Sequence, residues 1–312
     1  MMPSKLDPDI SEFHSRTTAD YARLSGGSYE DMAARRRIAE QVRAPWAAGG
    51  PVMASTETLT VGAAGIRIRI HRPTLDAALP VLIYLHGGGW MLFSIDSHDR
   101  LMREYAARSG CAVLGVDYSL APEACFPQPL DEIAAVREWL EAEGAVHGLD
   151  ASRYALGGDS AGANLALASA VRLKDAACPP RALLLNYGAF DTVERPSHAL
   201  YDGEAFMLTR TEMAEFWTSY LGSSEAGEDP LARPILADLG GLPPSFLCIA
   251  ECDILADENL AVAERLRSAV VAVRAEIYRG ASHSFLEAVE ISALADRALA
   301  DEGNWFKREM AA

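Results

Sequence analysis

The sequence lacks the features that would indicate a zinc protein, a secreted protein or a membrane protein. Its five cysteines, an odd number, include no Cys-x-x-Cys pair, so no zinc site is predicted. Most of them stand in apolar surroundings, which is typical of buried, reduced thiols in a cytosolic protein. No segment approaches the roughly 18 apolar residues that a membrane helix needs, and no apolar signal-peptide core opens the chain. We expect a soluble, cytoplasmic protein with no membrane span.

Basic residues are few relative to acidic ones, and nucleotide-binding motifs are missing. The 312 residues include 44 acidic and 28 basic side chains, which gives a net charge of −16. A chain of this charge repels phosphate backbones, so a nucleic-acid partner is disfavoured. The run Gly-Gly-Gly-Trp-Met lacks the Gly-x-Gly-x-x-Gly spacing, and no phosphate-binding loop motif occurs. We expect neither a cofactor nor a metal.

Short apolar runs alternate with helical segments along most of the chain. Half of the residues are hydrophobic, which suffices for a large core. The apolar runs, typical of strands buried on both faces, are residues 80–86, 111–118, 154–158, 182–187 and 245–250. A further strand is predicted over 270–278 and a last helix over roughly 286–310. The alternation predicts one α/β domain over 1–312, with a mostly parallel sheet and helices on both faces.

Two segments depart from this alternation, and we predict that together they form a helical cap. Residues 1–50 are polar and charged, with helical stretches around 17–24 and 29–43. Residues 190–225 contain a helical segment that no strand follows. An insertion at the carboxyl end of a parallel sheet lies over the place where such sheets bind ligands.

The stretch Gly158-Asp159-Ser160-Ala161-Gly162 lies between an apolar run and a long helical segment. That context is typical of the Gly-x-Ser-x-Gly nucleophile elbow, in which a strained turn holds the serine hydroxyl clear above the sheet. A small-residue turn with an incidental serine is the alternative. We predict that Ser160 is a nucleophile, which then requires a base and donors for an oxyanion. The role of Asp159 stays open, and local hydrogen bonding at the helix start is the simplest interpretation.

Three consecutive glycines follow the apolar strand at 81–85. Bare backbone there can direct N–H groups at one point, so Gly88 and Gly89, together with Ala161, are the predicted oxyanion hole. A flexible glycine turn is the alternative. We expect His86 to hold this loop in place rather than to take part in the chemistry.

Asp253 and His283 each follow a predicted strand, so both are expected at the carboxyl edge of the sheet beside Ser160. Their order in the chain, serine then acid then histidine, matches that of α/β-hydrolases. A helix-capping role for the aspartate and a polar packing role for the histidine are the alternatives. Asp257 and Glu258 stand at a helix start, where carboxylates favour the dipole, and we interpret them as structural.

Together these motifs resemble the hormone-sensitive-lipase-like esterases of the α/β-hydrolase fold. The resemblance covers residues 80–285, roughly two-thirds of the chain, and rests on residues 86–90, 117–123, 158–166, 242–247, 252–258 and 283–285. It implies a serine carboxylesterase for short- to medium-chain acyl esters, a cap made of an N-terminal segment plus an insertion, and association into a homodimer. The chain departs from the family pattern at Ile254, where members usually have proline, and at Ser284, where they usually have glycine.

Substrate choice is expected to lie in a pocket between cap and sheet. The candidate pocket residues are Trp90, Phe190, Phe206, Met207 and Trp217, with core packing as the alternative for each. Two other functions compete with the esterase. One is a hydrolase of the same fold acting on an amide, carbamate or lactone. The other is a small-ligand binding protein, as in the plant gibberellin receptors, which resemble this family but lack the working histidine.

Overall fold

A twisted sheet of eight strands, in the order β1-β2-β4-β3-β5-β6-β7-β8, runs through the computed structural model, which describes residues 5–75, 78–223 and 225–311. The strands are β1 (Ser55–Val61), β2 (Ile66–Arg72), β3 (Leu79–Leu85), β4 (Ala112–Asp117), β5 (Leu149–Asp159), β6 (Leu183–Asn186), β7 (Ser245–Cys252) and β8 (Val273–Ser282). β2 pairs antiparallel with both β1 and β4, whereas β3 to β8 are parallel. The predicted mostly parallel α/β sheet is confirmed.

Helices cover both faces of this sheet, as the alternation of apolar runs predicts. They are α1 (Pro8–Ser25), α2 (Met32–Ala47), α3 (Asp99–Ser109), α4 (Gln128–Glu143), α5 (Ala161–Leu173), α6 (Pro196–Tyr201), α7 (Arg210–Leu221), α8 (Ala256–Ser268) and α9 (Ala293–Ala311). Side chains of β3 alternate between two hydrophobic cores: Ile83 packs in one, with α4, α5 and α8, and Leu82 in the other, with α3 and α9. Within the described ranges, no helix combines the length and hydropathy needed to cross a bilayer.

Several element boundaries differ from the prediction. α1 starts at Pro8 rather than near 17, and β5 starts at Leu149 rather than at 154. Two further differences lie near the end of the chain. β8 starts at Val273 rather than at 270, because Val270 has a φ of 63° and belongs to the turn that ends α8. The last helix starts at Ala293, not near 286, and is preceded by a 3₁₀ turn at Phe285–Glu290. The Ser292 hydroxyl accepts a hydrogen bond from the Ala295 N–H at 3.3 Å, and so caps the start of α9.

The two segments predicted as a cap approach each other at the carboxyl ends of the parallel strands. The N-terminal segment provides α1 and α2, and the insertion provides α6 and α7. An ion pair between Arg35 of α2 and Glu215 of α7, at 2.6 Å, joins them. Both segments border one cavity above Ser160. Residues 1–4 and 224 of the predicted cap, and 76–77 and 312 of the predicted domain, lie outside the described residues.

The fold buries Glu258 and Glu302, two carboxyl groups whose pKa burial raises, so that their ionisation opposes folding. Glu302 of α9 is fully buried and accepts a hydrogen bond from the Tyr105 hydroxyl at 2.6 Å. Burial raises the pKa of Glu302 from 4.5 to about 8. Because the folded state then holds the proton more tightly than the unfolded state, stability falls as the pH rises from about 4.5 through 8.

We expect the substitution Glu302→Gln to flatten this pH dependence and to raise the melting temperature near pH 8 by several degrees. The substitution removes the ionisable group and keeps its shape. Thermal unfolding followed between pH 5.5 and 9 measures the effect. Glu138→Gln, at an exposed position of α4, is the control and should leave the wild-type profile unchanged. Parallel profiles for the wild type and Glu302→Gln would contradict the assignment.

Candidate active site

Ser160 stands at the sharp turn between β5 and α5. Its backbone has a φ of 52° and a ψ of −117°, a conformation that costs energy for any residue with a side chain. The Ser160 N–H donates to the Asn186 carbonyl at 2.8 Å, which ties the turn to β6. A Cβ atom added to Gly162 would overlap the Leu85 carbonyl, so the close passage of β3 requires glycine at this position. The turn therefore presents the hydroxyl at the carboxyl edge of the sheet.

The structure brings Ser160, His283 and Asp253 into one hydrogen-bonded row. His283 Nε2 lies 2.9 Å from Ser160 Oγ, and His283 Nδ1 lies 2.7 Å from Asp253 Oδ2. The second carboxylate oxygen of Asp253 accepts the Leu255 N–H at 2.9 Å, which fixes the orientation of the carboxylate. All three side chains are buried. A neutral imidazole here donates from Nδ1 to the carboxylate and accepts the hydroxyl proton at Nε2.

The two departures from the family pattern leave this row of contacts intact. Ile254 is fully buried, and its carbonyl accepts a hydrogen bond from the Ser197 hydroxyl at 2.6 Å. Ser284 has a φ of 60°, the left-handed conformation that favours glycine. This conformation explains why glycine is usual at the position. Ser284 adopts the same conformation, so its backbone is strained beside His283.

The predicted oxyanion loop turns through two glycines with positive φ, 115° at Gly88 and 60° at Gly89. Cβ atoms there would overlap the Leu92 carbonyl and the Phe216 ring respectively, so both positions require glycine. The N–H groups of Gly88, Gly89 and Ala161 take part in no hydrogen bond with any residue that the structure describes. Three backbone donors are therefore left for a group bound at Ser160.

Asp159, whose role the sequence leaves open, connects the turn that carries Ser160 to the predicted oxyanion loop. Its Oδ1 accepts hydrogen bonds from the Tyr84 hydroxyl at 2.7 Å and from the Gly87 N–H at 3.1 Å. Its Oδ2 lies 3.4 Å from His98 Nε2. Burial raises the pKa of Asp159, but the charge and hydrogen bond of His98 outweigh burial and hold the pKa below its usual range. An ionised carboxylate thus anchors the start of the loop.

His86 supports the same loop from within. Its Nδ1 lies 2.8 Å from the Gly87 carbonyl, and its ring stacks on Tyr118 with 4.4 Å between centroids. The Tyr118 hydroxyl donates to the His86 carbonyl at 2.7 Å. Burial lowers the pKa of His86 to about 4, so the ring is neutral near pH 7. These contacts hold the loop and keep His86 away from Ser160.

We expect Asp159→Asn to lower kcat by about 10- to 100-fold and to change KM little, because an oxyanion loop acts on the transition state. The amide cannot form the ion pair with His98, and its orientation at Gly87 is no longer fixed. Steady-state kinetics on a short-chain ester measures both constants. Asp131→Asn, exposed on α4, is the matched control. An unchanged kcat would show that Asp159 does not support the loop.

A cavity of about 280 Å³ opens above Ser160 and His283. Its wall on the side of α7 and the oxyanion loop is largely apolar, with Leu92, Phe93, Met207, Leu208, Met213 and Phe216. Its wall on the side of α1 and α2 is largely polar, with His14, Thr17, Thr18, Tyr21, Tyr29, Arg35 and Arg43. Among the described residues, no group of three or more histidine, cysteine or acidic side chains could hold a metal ion.

Four of the five predicted pocket residues lie outside this wall, and only Met207 is in it. Trp90 is fully buried and stacks on Tyr220 with 4.2 Å between centroids, and Trp217 packs against it at 4.6 Å. Phe190 is buried in the core, and Phe206 packs edge-on against Tyr201. Trp90, Phe190, Phe206 and Trp217 do not border the cavity, because their rings pack against other residues of the protein, an orientation that the sequence does not specify.

Sequence reasoning also missed residues that do border the cavity. The i, i+3, i+4, i+7 spacing of His14, Thr17, Thr18 and Tyr21 is readable in the sequence and places them on one face of α1. That signal would have identified the polar wall. For Phe216, adjacent to Trp217, no such signal exists, because the phase of α7 relative to the sheet depends on tertiary packing.

Comparison with known proteins gives the same architecture. A family described as alpha/beta hydrolase fold matches residues 82–287. An acetyl esterase of Salmonella choleraesuis (strain SC-B67) is 35% identical over 288 residues, which are 90% of this chain and 88% of the relative. An acetyl esterase of Salmonella schwarzengrund (strain CVM19633) is 34% identical over the same shares.

Solved structures of esterases superpose on nearly the whole chain. The hyperthermophilic esterase from Pyrobaculum calidifontis has a TM-score of 0.90 and 31% identity, and the match covers 99% of this chain and 100% of that one. A thermostable esterase from Pseudomonas putida ECU1011 has a TM-score of 0.84 and 28% identity, with 97% and 98% covered. At this coverage, the match extends beyond the sheet to the N-terminal segment and the insertion.

Proposed function

The chain belongs to the hormone-sensitive-lipase-like esterases of the α/β-hydrolase fold and is a carboxylic ester hydrolase; from this premise we propose that it cleaves short- to medium-chain acyl esters through Ser160, His283 and Asp253. The observation that carries the proposal is the row of contacts at 2.9 Å and 2.7 Å that joins these three side chains. The acetyl esterases among its relatives support a short acyl group.

In the proposed first half-reaction, Ser160 Oγ attacks the ester carbonyl while His283 Nε2 takes the hydroxyl proton. The carbonyl oxygen becomes an oxyanion that accepts hydrogen bonds from Gly88, Gly89 and Ala161. His283 then gives its proton to the leaving alcohol as the carbon–oxygen bond breaks. Asp253 holds the imidazole tautomer and stabilises the imidazolium.

In the second half-reaction, water attacks the acyl group on Ser160. His283 takes a proton from the water, and the same three N–H groups again bind the oxyanion. Collapse of this intermediate releases the carboxylic acid, and His283 returns its proton to Ser160 Oγ. The cycle needs no group beyond those of the chain and the solvent.

Phe216 is proposed to limit the acyl chain. Its ring lies directly against Gly89, where an added Cβ atom would overlap it, and it borders the cavity. The guanidinium of Arg35 lies 5.7 Å from the ring centroid, and Arg35 pairs with Glu215. When the carbonyl oxygen of the ester binds at Gly89, the acyl chain therefore extends toward the Phe216 ring. Gly89 and the guanidinium of Arg35 both pack against this ring.

We expect wild-type activity on p-nitrophenyl esters to be highest for short acyl groups and Phe216→Ala to shift the optimum to longer ones. Removing the ring should raise the ratio of kcat/KM for the octanoyl over the acetyl ester by about 10-fold or more, since each buried methylene contributes about 0.8 kcal/mol. Trp217→Phe, a change at the neighbouring position outside the wall, is the control. An unchanged chain-length profile in Phe216→Ala would contradict the acyl limit. Hydrolysis of matched amides or carbamates in preference to every ester would contradict the proposed reaction.

A further inference from the structure

Helix α1 turns a polar stripe toward the active-site cavity. His14, Thr17, Thr18 and Tyr21 recur at the i, i+3, i+4, i+7 spacing, and all four border the cavity. A helix face at this spacing that is directed inward is normally apolar, as the buried Phe13 on the neighbouring face is. His14 and Thr17 are buried, Tyr21 is half-buried and Thr18 is exposed, so the polar side chain of His14 at a buried position indicates a polar group opposite it.

Three members of the stripe, His14, Thr18 and Tyr21, have side-chain hydrogen-bonding groups without a partner among the described residues, and of these Thr18 is exposed. The Thr17 hydroxyl is satisfied within its own helix, by the His14 carbonyl at 2.9 Å. By contrast, the His14 imidazole and the Tyr21 hydroxyl form no hydrogen bond with any residue in the described part of the chain, although His14 is only 9% exposed. Both side chains border the cavity, so their hydrogen-bonding groups are open to water or to a bound ligand. A bound ligand would supply the missing partners.

Both groups act as neutral donors near pH 7. Burial, assisted by the charge of Arg43, lowers the pKa of His14 below its usual value. Burial raises the pKa of Tyr21 to about 12, so the phenol keeps its proton. A neutral imidazole offers one donor and one acceptor, and a phenol offers one of each. The stripe can therefore bind oxygen atoms.

Arg43 of α2 adds a rigid donor to the same wall. Its side chain is 4% exposed, and its guanidinium lies 5.4 Å from the Phe13 ring centroid and 5.1 Å from that of Phe93. Nη1 lies 3.2 Å from Glu287 Oε2, yet neither Nε nor Nη1 has a well-oriented hydrogen-bond acceptor among the described residues. A planar donor held between two rings loses little entropy when it binds.

The charges around the cavity favour a neutral oxygen over a carboxylate. The positive charge of Arg43 is matched by Glu287. Two further acids, Glu204 and Glu212, border the cavity. The remaining cation of the wall, Arg35, is paired with Glu215 at 2.6 Å. A carboxylate on the ligand would meet like charges and find no unpaired cation in the described part of this wall, whereas a hydroxyl or ether oxygen would not be repelled.

The polar wall lies on the side of the leaving alcohol. Glu287, the partner of Arg43, belongs to the 3₁₀ turn that follows His283, and its N–H donates to the Ser284 carbonyl at 3.1 Å. Arg43 therefore contacts the loop that carries His283, the residue proposed to protonate the leaving alcohol. Phe216 packs instead against Gly89 of the oxyanion loop, on the side proposed for the acyl chain.

Building on the proposed esterase function, we propose that the alcohol part of the substrate carries neutral hydroxyl or ether oxygens and that His14, Tyr21 and Arg43 bind them. The substrate class is then a short-chain acyl ester of an oxygen-rich alcohol, in contrast to an ester of a simple alkyl alcohol or of an anionic one. The oxygen atoms accept hydrogen bonds from the imidazole, the phenol and the guanidinium, while the acyl group lies under Phe216.

Three acetate esters of similar length test this proposal: 2-(2-hydroxyethoxy)ethyl acetate, hexyl acetate and 5-acetoxypentanoate. Titration of the released acid gives kcat/KM for each. We expect the wild type to prefer the hydroxy-ether ester to the hexyl ester by about 10-fold or more, the effect of one or two hydrogen bonds to otherwise unpaired groups. Tyr21→Phe and His14→Phe should each lower kcat/KM for the hydroxy-ether ester by about 5-fold and leave that for hexyl acetate within about twofold.

Tyr201→Phe is the matched control, because Tyr201 is a buried tyrosine of the insertion that does not border the cavity. It should leave both esters unaffected. Equal or greater activity on hexyl acetate, or an equal loss on both esters in Tyr21→Phe, would overturn the polar subsite while the esterase function stands. Preference for 5-acetoxypentanoate would contradict the proposal that the alcohol part of the substrate carries neutral oxygens. Failure of the wild type to cleave any ester, p-nitrophenyl acetate included, would instead refute the proposed function.

Discussion

Replacing Ser160 by alanine is expected to lower kcat on p-nitrophenyl acetate by about 10⁶-fold, the loss that removal of the nucleophile causes in serine hydrolases. The expectation follows from the geometry, because the hydroxyl is the group of the row that His283 is placed to deprotonate for attack on the acyl carbon. The elbow holds it 2.9 Å from the imidazole. Without it, the imidazole and the oxyanion donors can assist only direct attack by water.

Hydrolysis by Ser160→Ala and the wild type, followed under identical conditions, measures the loss. Ser169→Ala is the matched control, since Ser169 is a buried serine of α5, the helix that follows Ser160, and does not border the cavity. It should retain wild-type kcat. Unfolding curves for both variants separate chemistry from folding. Residual activity within about 100-fold of the wild type in a folded Ser160→Ala protein, against the roughly 10⁶-fold loss expected, would show that Ser160 is not the nucleophile.

Replacing Asp253 by asparagine is expected to lower kcat by about 10⁴-fold, as in serine hydrolases whose acid is changed to an amide. The amide can donate to His283 Nδ1, which favours the tautomer with its proton on Nε2. That nitrogen then cannot accept the hydroxyl proton of Ser160. The 2.9 Å contact with the Leu255 N–H keeps the side chain in place, so the loss reflects the tautomer rather than displacement.

Asp257→Asn is the comparison that decides which acid acts. Asp257 is the other aspartate near the end of β7, and its carboxylate accepts the Ser197 N–H at 2.8 Å, a contact within the scaffold. We expect kcat of Asp257→Asn to stay within about tenfold of the wild type, in line with a change confined to the scaffold. A larger loss in Asp257→Asn than in Asp253→Asn would reverse the assignment of the two residues.

The positions of Ser160, Asp253 and His283 were predictable because each follows a predicted strand, an apolar run for the first two and the strand predicted over 270–278 for His283. Carboxyl ends of parallel strands meet at one edge of a sheet, so local patterns were enough to place side chains that are distant in the chain. The glycines of the elbow and of the oxyanion loop were readable for a similar reason, since close backbone passage leaves no room for a side chain.

The cavity wall was not predictable to the same degree. Trp90 and Trp217 are large aromatic residues in the expected segments, but Trp90 stacks on Tyr220, and Trp217 packs at a tilt against both of these rings. Whether an aromatic ring faces a cavity or a core depends on how a helix is rotated about its axis, and neighbours that are remote in the sequence set that rotation. The role of Asp159 was not predictable for the same reason, because its partners Tyr84 and His98 belong to other elements, remote in the sequence.

Labelling with a p-nitrophenyl alkylphosphonate tests the central claim most directly. The phosphonate reacts with an activated serine to give a stable analogue of the tetrahedral intermediate, and peptide mass spectrometry locates it. The account predicts one phosphonyl group per chain, on Ser160, with loss of activity in proportion to labelling and no labelling of Ser160→Ala. Inactivation with the label on another residue, or full activity in a protein labelled at Ser160, would contradict it.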